Sequence, residues 1–194
     1  LEEKVWKSNG MYGDAIEKII FWLKKAKSVA ENKKQGKALG LLIKYYKTGS
    51  LKTWDDYNIA WLSATEGNID YINGFIEVYN DPIGYRGSYE GIVQIKDFDM
   101  SKKMEKVSEN AQWFEDNSPL MEQHKKKNVV GVSYKTVIVA GESGDASPST
   151  PIGVNLPNAD WIRAEHGSKS VSLGNIIHAY SKAGGKGKLG EFAN

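Results

Sequence analysis

Cysteine is absent from the 194 residues. No disulfide framework and no thiolate metal site can form, a composition that fits a reducing compartment. No sign of charge dominates either, since 26 Lys and Arg stand against 24 Asp and Glu and leave a formal +2. So weak a field argues against nucleic acid or an acidic membrane surface as a partner. No apolar run approaches the roughly 20 residues of a membrane span, and the charged start Leu1-Glu2-Glu3-Lys4 is not expected to be a signal peptide. The chain is expected to be soluble, with no membrane partner, and cytoplasmic, export without cysteines being left open. His124, His166 and His178 show no HExxH, HxH or other ligand spacing, and no metal site is expected in the chain. Gly184-Gly185-Lys186-Gly187-Lys188 lacks the order of a phosphate loop and follows a helix instead of preceding one. No GxSxG elbow occurs, and Lys125-Lys126-Lys127 has no interleaved aromatics and reads as a loop.

What is present begins with helical periodicity. Ile16, Ile19, Ile20, Leu23, Ala26 and Ala30 predict a helix over 14–30, with Asp14 and Glu17 as a capping pair. Leu39, Leu42, Ile43 and Tyr46 predict a second helix over 34–48 that ends at Gly49. Thr53-Trp54-Asp55-Asp56 resembles a third capped start, leading into a core stripe of Tyr57, Asn58, Trp61 and Leu62. From residue 69 the pattern changes. Residues 75–79 and 89–96 read as strands joined by the turn Asn80-Asp81-Pro82-Ile83-Gly84. In the second strand Tyr89, Gly91, Val93 and Ile95 share one face, and Glu90, Ile92 and Gln94 the other. Met104, Val107, Ala111 and Phe114 predict a helix over 101–116. The β-branched run 129–140 predicts one bent strand or two short ones before a polar turn over 141–150, and a last helix is expected over 172–182.

The stretch Pro151-Ile152-Gly153-Val154-Asn155-Leu156-Pro157-Asn158 stands apart from these patterns. Pro157 fixes its own φ and pushes Leu156 toward extended backbone, so Asn155 and Asn158 sit on a stiff segment. Together with Glu77 and Glu90 these amides would make a receptor for an ammonium group, because carboxylates and amide carbonyls accept what an ammonium donates. Two plainer readings stay open: the asparagines bond their own loop backbone, and Glu90 pairs with Arg86 in a turn.

At Glu77-Val78-Tyr79-Asn80-Asp81-Pro82-Ile83-Gly84-Tyr85-Arg86-Gly87-Ser88-Tyr89-Glu90-Gly91, at 151–158 and at Val171-Ser172-Leu173-Gly174-Asn175, the sequence resembles the M49 metallopeptidase family, the dipeptidyl peptidases III. The resemblance implies an enzyme that removes dipeptides from peptide N-termini in a cleft between a helical lobe and a lobe built around a β-barrel, with zinc carried on an HExxGH helix. No such motif occurs in the chain. The chain is therefore expected to be a piece of a longer protein: its peptide-binding lobe, inactive alone, with no cofactor of its own, zinc belonging to the full-length protein. By the same resemblance Glu77, Glu90, Asn155 and Asn158 would hold the substrate ammonium and peptide backbone. Gly153 would face the peptide, and Tyr79 would be the catalytic residue that steadies the oxyanion at the scissile carbonyl. Expected partners are short peptides with a free N-terminus and the missing zinc-bearing lobe. A non-catalytic peptide-binding module and a structural domain are the alternatives.

The expected fold is α+β: N-terminal helices followed by a mixed or antiparallel barrel-like sheet with one helical excursion. Residues 1–65 would be helical, 66–97 and 129–182 the β-rich peptide-binding core, 98–128 the excursion and 183–194 a flexible tail.

Overall fold

A computed structural model describes residues 2–129, 133–147 and 151–183. The expected tail falls almost wholly outside them. Two units are present, one of Leu1–Asn68 with Pro157–Ser168, the other of Ile69–Leu156 with Lys169–Asn194. The segment 157–168, expected within the β-rich core, thus belongs with the helices.

The first unit is built from α1 (Gly13–Ser28), α2 (Lys33–Thr48), α3 (Leu51–Ser63) and the short α6 (Asp160–His166). Helical periodicity makes one apolar face on each. Ile16, Ile20 and Leu23 are buried from α1, and Leu39, Leu42, Ile43 and Tyr46 from α2. Tyr57, Asn58, Trp61 and Leu62 are buried from α3, and Ile162 from α6. Helix ends follow capping chemistry. Asn32 accepts from Gln35 N at 2.9 Å, and Ser50, three residues ahead of the expected start, accepts from Thr53 N at 3.3 Å. Gly49 ends α2 at φ 69, its N–H bonding Tyr45 O. At α1 the expected capping pair is replaced by Tyr12 in left-handed geometry, which places Asp14 inside the first turn.

The second unit is an open, mixed five-stranded sheet in the order β1-β2-β3-β5-β4. Its strands are β1 (Ile69–Glu77), β2 (Ser88–Lys96), β3 (Ser133–Gly144), β4 (Gly153–Leu156) and β5 (Lys169–Leu173). Helices α4 (Phe98–Glu109), α5 (Ala111–Asp116) and α7 (Gly174–Ala183) complete the unit with one 3-10 turn at Glu122–His124. The single helix expected over 101–116 is divided at Asn110, whose side chain donates to Lys106 O at 2.7 Å. Strand β5 was not expected; Ser172 lies in it and not in the last helix. Strand β3 runs on to Gly144, through part of the expected polar turn. Among the described residues no helix is long and apolar enough to cross a membrane.

Alternation on β2 follows the sequence. Glu90, Ile92 and Gln94 are buried, while Val93 and Ile95 are exposed. On β5 the buried residues are Lys169, Val171 and Leu173, the last two clustered with Val137. Lys169 Nζ lies 2.8 Å from Asp70 Oδ2, although β2 and β3 separate their strands in the sheet. In a flat sheet three strand spacings are about 14 Å, beyond the reach of a lysine side chain. The sheet therefore curls far enough for a side chain of β5 to reach one of β1.

The lysine is buried and the aspartate half-buried, so loss of the pair is asymmetric. Lys169→Met leaves the Asp70 carboxylate without this cation and lowers unfolding free energy by about 2–3 kcal/mol in urea titration. The double variant Asp70→Leu with Lys169→Met recovers most of that loss.

Candidate functional site

The site begins with strand register. Along an antiparallel pair, directly opposed residues share a face, and one inserted residue turns every later side chain over. Phe75 lies opposite Tyr89, yet Glu77 lies opposite Ser88, so Ile76 is the extra residue of a bulge. Without it Glu77 would share the face of Tyr89. With it, Glu77 shares the face of Ser88 and Glu90. A second bulge occurs between β2 and β3, where Gln94 opposes Val139 and Val93 opposes Gly141. Ala140 is inserted, and Glu142 is turned to lie opposite Ile92 on that same face.

The two insertions bring carboxylates from β1 and β3 onto the face of Glu90 in β2. Glu90 is 3% exposed, and its Oε2 is buried without a hydrogen-bond partner among the described residues. Its carboxyl is pushed up to about 8, first by burial, then by its hydrogen bond to Glu77 and by the charges of Glu77, Asp145 and Glu142. A hydrogen bond between two carboxyls needs a proton, so Glu90 is the donor and Glu77 the acceptor. Asp145 reaches the group through a tight return: its N–H bonds Tyr89 O at 3.0 Å after Gly144 at φ 69. A Cβ on Gly144 would lie 2.0 Å from Tyr89 O, so only glycine fits.

The turn reading of Glu90 with Arg86 does not hold. Arg86 is exposed and forms no ion pair among the described residues. Asp81 instead shapes the turn, its carboxylate accepting from the N–H groups of Tyr85 and Arg86. Tyr79 stands 89% exposed in that turn, two residues beyond Glu77.

The remaining sequence-derived residues lie elsewhere. Asn155 is on edge strand β4, exposed, opposite Ser170, whose Oγ donates to Asn155 Oδ1 at 3.3 Å. Among the described residues no hydrogen bond joins Asn155 to Glu77 or Glu90. Gly153 lies opposite Ser172 on the same edge, where an added Cβ would approach Val171 O to 3.0 Å. Asn158 is exposed and belongs to the helical unit, just ahead of α6. Of the residues named from the sequence, Glu77 and Glu90 are brought together; Glu142 and Asp145 join them unforeseen, because neither a bulge nor a tight return shows in the type of the residue it re-aims. Among the described residues no three His, Asp or Glu side chains are grouped to hold a metal ion.

A model described as Peptidase family M49 matches residues 2–188. The chain is similar to dipeptidyl peptidase 3 of Nematostella vectensis, with 31% identity over 174 residues, covering 90% of this chain and 24% of that protein. It is equally similar to dipeptidyl peptidase 3 of Homo sapiens, with 31% identity over 170 residues, 88% of this chain and 23% of that one. Its fold is similar to the solved structure of DPP III from Caldithrix abyssi, with TM-score 0.76 and 27% identity over 89% of this chain and 33% of that one. The chain thus spans about a quarter of the length of the curated relatives it matches.

The raised proton affinity of Glu90 has a consequence for stability with a definite sign. Between about pH 4.5 and 8 the native chain binds more protons than the unfolded chain, so stability falls as pH rises through that window. Glu90→Gln removes the linkage. In thermal unfolding followed by circular dichroism, the parent chain loses roughly 5 °C in Tm from pH 5 to pH 8 beyond any change in the variant.

Proposed function

Because the chain belongs to peptidase family M49, we propose that it is the peptide-binding lobe of a zinc-dependent dipeptidyl peptidase, the part that receives the amino end of a short peptide. The observation that carries this reading is the pairing of Glu77 with a buried Glu90 on one face of the sheet. An enzyme that counts two residues from a terminus must recognise the terminal amine. An ammonium group offers three donors to carboxylate oxygens that otherwise face only one another.

Further features of the second unit support the rest of the reading. Strand β4 is the outer strand of the sheet, so its outward N–H and C=O groups suit an extended peptide laid alongside, with Gly153 allowing close approach. The Asn155 amide would bond the peptide main chain there. The Tyr79 hydroxyl, exposed and close in sequence to Glu77, suits a role at the carbonyl of the cut bond, where it would stabilise developing negative charge. Hydrolysis itself is assigned to the longer protein, and zinc to the part of it that lies outside this chain. Val107, Trp113 and Phe114 stand exposed on α4 and α5, and we assign that apolar surface to contact with the rest of the protein.

Calorimetric titration of the chain with a tetrapeptide and with its N-acetylated form tests the reading. The free amine binds at least tenfold more tightly, and Glu77→Ala abolishes the preference. Equal binding of the two peptides would remove the ammonium pocket and with it the proposed role.

A further inference from the structure

Glu142 and Asp145 have no part in the reading above, yet both act on the same buried carboxyl. Every charged group that acts on Glu90 is acidic: Glu77 from β1, Glu142 from β3, and Asp145 from the turn that follows β3. Such a cluster alone is no site, since carboxylates often gather at a solvated sheet end. Here a second observation points to a ligand. Glu90 is 3% exposed, and its Oε2 is an acceptor buried without a partner among the described residues. A buried acceptor left unsatisfied is costly, and a donor group arriving from outside removes that cost.

The chemistry of the cluster selects the donor. No three of these carboxylates are grouped to hold a metal ion among the described residues. A primary ammonium matches better, because its three N–H bonds spread over several oxygens without the tight shell a divalent ion demands. Two carboxylates that share a proton already satisfy each other in part, so the ammonium must displace that proton.

We propose that this face of the sheet exchanges a proton for an organic ammonium group. Glu90 holds the proton in its hydrogen bond to Glu77 and releases it to solvent as the ammonium takes its place, and the charges of Glu142 and Asp145 add to the hold that burial and Glu77 provide. The step balances simply. The Glu90 O–H bond breaks, its electron pair stays on the carboxylate, the proton passes to the buffer, and the ammonium keeps all three of its own. Affinity for the amine rises with pH as Glu90 gives up its proton more easily. It falls again once the α-amino group itself loses its proton, at about pH 7.7–8.0. Binding is greatest in a narrow band near pH 8, where both conditions are met.

This inference rests on the proposed ammonium pocket, and its test separates the two. The 194-residue chain is titrated by calorimetry at pH 7.5 with the free-amine tetrapeptide in phosphate and in Tris, whose ionisation enthalpies differ widely. The dependence of measured heat on buffer gives the protons exchanged per peptide bound. The double variant Glu142→Gln with Asp145→Asn is treated in the same way, and the contribution of the peptide amine, common to both proteins, cancels. The expected result is that the double variant releases about half a proton less per peptide than the parent chain, while still distinguishing the free from the acetylated peptide. Binding with equal proton counts in parent and variant overturns the exchange and leaves the ammonium pocket standing. Failure of the parent chain to prefer the free amine overturns both. Glu142→Asp with Asp145→Glu, which keeps the charges, restores the parental proton count; if it does not, packing and not charge sets the proton's affinity, and the assignment of these two residues is wrong.

Discussion

A carboxyl group taken out of water beside a second carboxylate persists only if a proton stays between them or a cation joins them. That constraint is set at Glu90, and much of the β unit is arranged around it. Burial comes from the face it shares with Ile92 and Gln94, and proximity to Glu77 comes from the inserted Ile76. Remove the insertion and Glu77 turns to the opposite face, leaving Glu90 an ordinary buried acid with one fewer partner. A second insertion, at Ala140, turns Glu142 the same way, and Gly144 permits the return that brings in Asp145. Bulges disrupt the ladder locally, and both of these re-aim a carboxylate toward one point.

The far edge of the sheet is tied to this arrangement by the partly buried pair of Lys169 and Asp70. Asp70 starts the strand that Glu77 ends, and Lys169 starts β5, which holds Asn155 through Ser170. The curl that this contact requires runs from the acid-bearing strands toward the outer strand that carries the amide. Burying a lysine for this purpose is energetically close to neutral at best, which favours a geometric role over a stabilising one.

Much of this was legible in the chain and some was not, for physical reasons. The buried faces of α2 and α3 followed directly from period, because Leu39, Leu42, Tyr46, Tyr57 and Trp61 recur at helical spacing and large apolar groups pack. The alternation on β2 was equally plain, and so was the Gly49 stop. Strand β5 was not, since its Ser-Lys-Ser-Val-Ser lead looks solvated, and Lys169 finds its counter-charge 99 residues away. The break at Asn110 lies inside an unbroken helical pattern and depends on one side chain turning back on the backbone. Of the candidate site, Glu77 and Glu90 were found through the family resemblance, with residue chemistry in agreement. Glu142 was hidden because a register shift changes which face a residue occupies without changing any residue, and Asp145 because its place depends on the turn at Gly144. Asn158 sits in a segment that returns to the helices, a division invisible in local composition.

The most direct test of the account is to follow the side-chain carboxyl carbon of Glu90 by nuclear magnetic resonance as pH is raised in the absence of peptide. The shared-proton arrangement predicts a midpoint near 8. A midpoint in the ordinary glutamate range of about 4.3 would contradict it.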